Sequence, residues 1–124
     1  VQTLKIIKET DIYLVRKRNI RPIDVVQYDT GIQLVFRIKD FEVPTGTSAT
    51  LYAEKPSGKF VYQETGITVA ENTVTINLEN QAITEHGKVW YQVSLENGTD
   101  VITTFTGLII AEKSKKDAGV TESK

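Results

Sequence analysis

The chain has 124 residues, 40% hydrophobic and 25% charged, with 15 Lys+Arg against 16 Asp+Glu and a formal net charge of -1. That is the composition of one ordinary globular domain, long enough to bury a core without disulfide or metal staples. Having no cysteine excludes disulfides and thiolate metal sites, near-neutrality gives no prior for nucleic acid, where a basic face would be expected, and no apolar run nears the ~20 residues that cross a bilayer.

From the N-terminus, "VQTLKIIKETD" is too polar for a secretory signal, and the missing initiator Met points to processing or trimming. "DIYLVR" and "RPIDVVQ" read as short strands, the second confined by Pro22 to an edge or a strand start. "IQLVFRI" sets Ile32, Leu34, Phe36 and Ile38 on one face against Gln33, Val35 and Arg37, a period of two. "ATLYAEK" turns Ala49, Leu51 and Ala53 inward and Thr50, Tyr52 and Glu54 outward. Lys55-Pro56-Ser57-Gly58 then reads as a hairpin turn, with Pro56 pre-setting φ at its first corner.

"TVTINL" alternates Val74, Ile76 and Leu78 against polar neighbours, and "NQAITEHG" offers a helical turn or two, stopped by Gly87. "KVWYQVSL" places Val89, Tyr91, Val93 and Leu95 inward, with Lys88, Trp90, Gln92 and Ser94 outward. Asn97-Gly98 predicts a type I′ turn, which needs positive φ at both central residues. "VITTFTGLIIAE" is a long β-branched strand, central or bulged near Gly107. Turn signals between these segments also fall at Asp29-Thr30-Gly31, Pro44-Thr45-Gly46 and Glu71-Asn72. The expectation is an all-β, immunoglobulin-like antiparallel β-sandwich of about seven to nine strands over residues 1–112. Residues 113–124 are a polar tail or the start of a linker, too poor in apolar groups to offset ordering entropy.

Chemistry is sparse. His86 lies in a turn and reads as a surface residue, without a motif to supply triad partners. Carboxylates are scattered, and neither a phosphate-cradling glycine loop nor a calcium-loop pattern occurs. Asn97-Gly98-Thr99 matches a glycosylation acceptor, but the hairpin turn explains the same residues. "RKRNIR", from Arg16 to Arg21, reads as a solvated basic loop. No catalytic, metal or cofactor-binding residue is assigned, and the chain is not expected to be an enzyme. Trp90 is the residue that stands out. An outward aromatic either covers a second apolar layer or awaits a partner. Tyr52 and Val35 share that ambiguity, and the three are the candidate protein-interface residues.

Three stretches together resemble the N-terminal domain of phage baseplate upper proteins, the BppU-like family of tailed phages infecting Gram-positive bacteria. They are "TSATLYAEKPSGKFVYQ", with its strand, Lys-Pro-x-Gly turn and strand; "TVTINLENQAITEHGKVWYQVSLENG", with its Gln-containing turn and long strand; and the closing "DVITTFTGLIIAEK". The resemblance runs from Asp11 to Glu112. It implies a structural virion protein of a tailed-phage or prophage baseplate, made in the host bacterial cytoplasm. Such a protein docks onto the central tail or baseplate hub and scaffolds receptor-binding proteins. Its implied partners are other tail and baseplate proteins and further copies of itself, with no nucleic acid, no membrane span and no cofactor. The chain departs from the family pattern by ending at Lys124 without a long linker or distal domain. The alternative is a carbohydrate-binding or immunoglobulin-like adhesion module, with Trp90 and Tyr52 as a sugar-stacking platform.

Overall fold

The computed structural model describes residues 6–16 and 18–114. Nine strands occupy 57% of the described residues, more than twice the roughly 20–25% of an average globular domain. They are β1 (Ile6–Ile12), β2 (Ile23–Val26), β3 (Ile32–Ile38), β4 (Ser48–Glu54), β5 (Phe60–Gln63), β6 (Ile67–Ala70), β7 (Thr73–Asn77), β8 (Gly87–Asn97) and β9 (Asp100–Glu112). One sheet has the order β1-β3-β7-β6 and the other β2-β9-β8-β4-β5. Between them lies the core that the alternation predicts. Ile32, Leu34, Phe36 and Ile38 of β3, Val74 and Ile76 of β7, and Val89, Tyr91, Val93 and Leu95 of β8 are all buried. Phe36 packs against Tyr91 and, edge to face, against Phe105, with ring centroids 5.6 and 5.1 Å apart.

The all-β sandwich holds, but it is not wholly antiparallel. β1 runs parallel to β3 and β2 parallel to β9, so both sheets are mixed. Alternation cannot show this, because a strand has the same period of two whichever way its neighbour runs. The first strand also differs from expectation. It is "IIKETDI", and most of "DIYLVR" lies beyond it in the loop to β2. The reason is Asp40, whose carboxylate accepts the N–H groups of Leu14 at 2.7 Å, Val15 at 3.1 Å and Arg16 at 2.8 Å. Those donors would otherwise extend a ladder. The bond from Arg16 is the main cause of a lowered Asp40 pKa.

Gly107 is not a bulge. Its backbone pairs in register with Tyr91, and a Cβ there would overlap the Tyr91 ring, so the glycine makes room for the largest core side chain. The register shift in this hairpin lies instead between Leu95 and Glu96, where β9 carries Ile102 as the extra residue. The turn beyond it is not type I′ over Asn97-Gly98. Asn97 pairs with Asp100, the loop is Gly98-Thr99, and only Gly98 has positive φ, at 65°. Glycine at the first central position is the type II′ pattern. Glu71-Asn72, between β6 and β7, has positive φ at both residues, 50° and 62°, as a type I′ turn requires.

The Lys55–Gly58 turn is a three-residue hairpin loop. Gly58 N–H donates to Lys55 O and Lys55 N–H to Lys59 O, each at 2.8 Å, with Gly58 at φ 89°. It also docks sideways. Ser57 donates through its N–H and hydroxyl to Glu85 at 2.9 and 2.8 Å, and Lys55 Nζ donates to Thr84 Oγ1 at 2.9 Å. The helical propensity of "NQAITEHG" yields a single 3₁₀ turn, Asn80–Ile83, which buries Ala82 and Ile83. Buried Gln27 then clamps the end of the domain. It donates to Thr84 O at 2.8 Å and accepts from Ser114 N–H at 3.2 Å, so packing reaches past Glu112. The rest of the polar tail, 115–124, lies outside the described residues.

Candidate functional site

The outer face of the five-stranded sheet is built by register. Tyr62, Tyr52, Gln92 and Thr106 form one row across β5, β4, β8 and β9; Phe60, Glu54, Trp90 and Leu108 form the next. Four aromatics therefore gather on adjoining strands. Trp90 is 54% exposed, Tyr52 39%, Tyr62 50% and Phe60 73%. The rings of Tyr52 and Tyr62 touch as a cross-strand pair, with centroids 4.9 Å apart. Tyr62 donates its hydroxyl to Glu64 at 3.0 Å, and that bond is the first cause of a raised phenol pKa. Tyr52, Glu54, Phe60, Trp90, Gln92 and Thr106 surround an open depression of about 290 Å³.

Of the three candidate interface residues, the structure brings Trp90 and Tyr52 together and removes Val35. Val35 points to the outer face of the other sheet, as alternation requires, yet it is only 8% exposed. It sits mid-strand between β1 and β7, with Glu9 and Thr75 as its cross-strand neighbours, and they leave it no surface for a partner. Phe60 and Tyr62 were missed from sequence. The signal was present: a three-residue loop fixes the register of "LYAEK" against "KFVYQ", which puts Tyr62 opposite Tyr52 and Phe60 opposite Glu54.

Other sequence features carry less. His86 is exposed. The basic loop after β1 lays the Arg18 guanidinium over the Tyr13 ring at 4.2 Å, a local cation–π contact. Among the described residues, no group of three or more His, Asp or Glu side chains could hold a metal ion, and no helix is long and apolar enough to cross a membrane.

No protein-family model matches the chain, and no curated protein matches it in sequence. A solved structure does match in fold: the N-terminal domain of phage TP901-1 ORF48, with a TM-score of 0.62 over 86% of this chain and 98% of that one, at 15% identity. The fold is that of a phage protein domain.

Proposed function

We propose that this domain is a structural component of a tailed-phage or prophage baseplate. It docks through the aromatic face of its five-stranded sheet onto the central tail or baseplate hub and scaffolds receptor-binding proteins. The observation that carries the reading is the cluster of Trp90, Tyr52, Phe60 and Tyr62, exposed together on one sheet face. The fold likeness to a phage domain and the resemblance of the hairpin and closing strands to baseplate upper proteins supply the setting.

Exposed aromatics grouped around one Trp are the usual anchors of protein interfaces, with charged neighbours such as Lys88 and Glu54 forming the rim. A Trp buries ~150–250 Å² when fully covered, and about half of that is still open at Trp90. At ~25 cal/mol per Å² its remaining burial offers roughly 2–3 kcal/mol before association costs. The test is binding of the domain to the tail and baseplate proteins encoded beside it. Trp90→Ala is expected to weaken binding about tenfold or more with the fold intact. Unchanged affinity would move the interface off this face.

One observation favours a second reading. Tyr52, Phe60 and Trp90 border a depression that also presents the carboxylate of Glu54 and the amide of Gln92, the mixture of ring faces and planar polar groups that holds a sugar. Glycan-array binding that disappears with Trp90→Ala, alongside no affinity for tail proteins, would make this domain a carbohydrate-binding module.

A further inference from the structure

β5 combines two properties on the same residues. Lys55 N–H donates to Lys59 O, and Ala53 and Leu51 stand opposite Val61 and Gln63. Hydrogen-bonded positions alternate along an antiparallel pair, so Val61 and Gln63 turn their backbone groups to β4. Phe60 and Tyr62 turn theirs the other way, where the sheet ends. The two residues with outward N–H and C=O groups are thus the two with rings 73% and 50% exposed.

Edge strands are normally blunted by charge or proline. β1 carries Lys8, Glu9 and Asp11, and β2 is entered through Pro22 and carries Asp24. β5, like the remaining edge β6, has no charge within it; unlike β6, it has Lys59 immediately before it and Glu64 immediately after. A segment with a cation at one end and an anion at the other complements a second copy of itself when the two run antiparallel.

We propose that two copies of this domain pair antiparallel along β5 about a two-fold axis at Val61. Phe60 of one copy then lies opposite Tyr62 of the other, and each such pair exchanges both backbone hydrogen bonds. Their rings form cross-strand aromatic pairs on the outer face. Lys59 of each copy comes level with Gln63 of the other and next to Glu64; alternation puts the two charges on opposite faces there, so they attract through space across the end of the pairing and form no direct ion pair. The two five-stranded sheets become one continuous sheet, and the aromatic surfaces merge across the join. A four-residue edge buries far less than the ~1,200 Å² of a standard interface. The pairing is accordingly weak in dilute solution and strengthened where an assembly holds copies side by side.

The proposal does not rest on the baseplate reading. Sedimentation equilibrium of the full chain from about 10 μM to about 1 mM should show a reversible monomer–dimer equilibrium. Lys59→Glu and Glu64→Lys should each weaken it about fivefold at low salt, because each sets like charges together at both ends of the pairing. An equimolar mixture of the two variants should dimerise as the wild type does, and so should the double variant. Phe60→Pro removes an outward N–H without touching the β4 ladder and should abolish dimerisation with a cooperative thermal transition retained. A chain monomeric throughout the range, or a dimer indifferent to the charge swap and to Phe60→Pro, overturns the proposal. A monomer that still binds tail proteins through Trp90 would leave the baseplate reading standing and this one refuted.

Discussion

The outer faces of the two sheets obey the same alternation and end in opposite states. On the four-stranded sheet the outward side chains of β3 are paired or covered, and Ile7 on the edge strand β1 is the large apolar side chain left exposed among the described residues of that face. Arg37 pairs with Glu9 across β1 and β3 at 2.9 Å, Gln33 donates to Asn77 at 3.0 Å, and Val35 is covered. On the five-stranded sheet the outward positions of β4, β5 and β8 present rings to solvent, and Glu54 and Gln92 stand among them. A cross-strand polar pair needs nothing further. An exposed aromatic cluster retains apolar area whose removal from water is favourable, so a partner gains by covering it. The difference separates a mostly paired surface from one that leaves a cluster of rings open to solvent.

The sharpest way to break that comparison is on β8, where neighbouring residues face opposite ways. Tyr91→Ala should cost about 3–5 kcal/mol, because it empties the site that Phe36 and Gly107 enclose. Trp90→Ala should cost under about 1 kcal/mol. Chemical denaturation of both variants decides it, and a Trp90 cost near that of Tyr91 would make the aromatic face part of the fold. Tyr91→Phe refines the point. Among the described residues the Tyr91 hydroxyl is buried without a hydrogen-bond partner, and burial pushes its pKa up. Its removal should leave stability unchanged or raise it by up to about 1 kcal/mol.

Gly98→Val should produce an intermediate effect. At φ 65° a β-branched residue is strained, and about 1–2 kcal/mol of lost stability is expected in the melting transition. Asn97→Ala should cost less, since Asn97 has no positive φ and contributes side-chain bonds of 3.3 and 3.4 Å to Thr45 and Thr47. The reverse order would restore the type I′ assignment.

The smallest effect belongs to the four-stranded face. The hydrogen bond and charge of Arg37 hold the Glu9 carboxyl below its ordinary value. A carboxylate lowered on folding adds stability above its unfolded pKa, and that contribution is lost as pH falls through the lowered folded value. Arg37→Ala should return the Glu9 titration, followed by NMR, to the ordinary carboxylate range. The melting temperature at neutral pH should move by no more than about a degree, because both side chains are solvent-exposed.

The sequence by itself determined the inward sets of β3, β4, β7 and β8 and the hairpin loop at Lys55–Gly58. Each is a local matter of periodicity or of a turn residue's φ. It also determined that Trp90 and Tyr52 point outward, since strand geometry leaves them only that face. Direction and depth were decided elsewhere. Whether β1 and β2 run parallel to their neighbours depends on crossovers between sheets, which no local pattern encodes. Asp40 ended β1 from 24 to 26 residues away along the chain. Val35 became buried because β1 and β7 flank it, whereas Trp90 stayed open with the same alternation. Tertiary structure alone decides such outcomes, because an outward side chain is exposed only if its neighbours across the sheet leave it so.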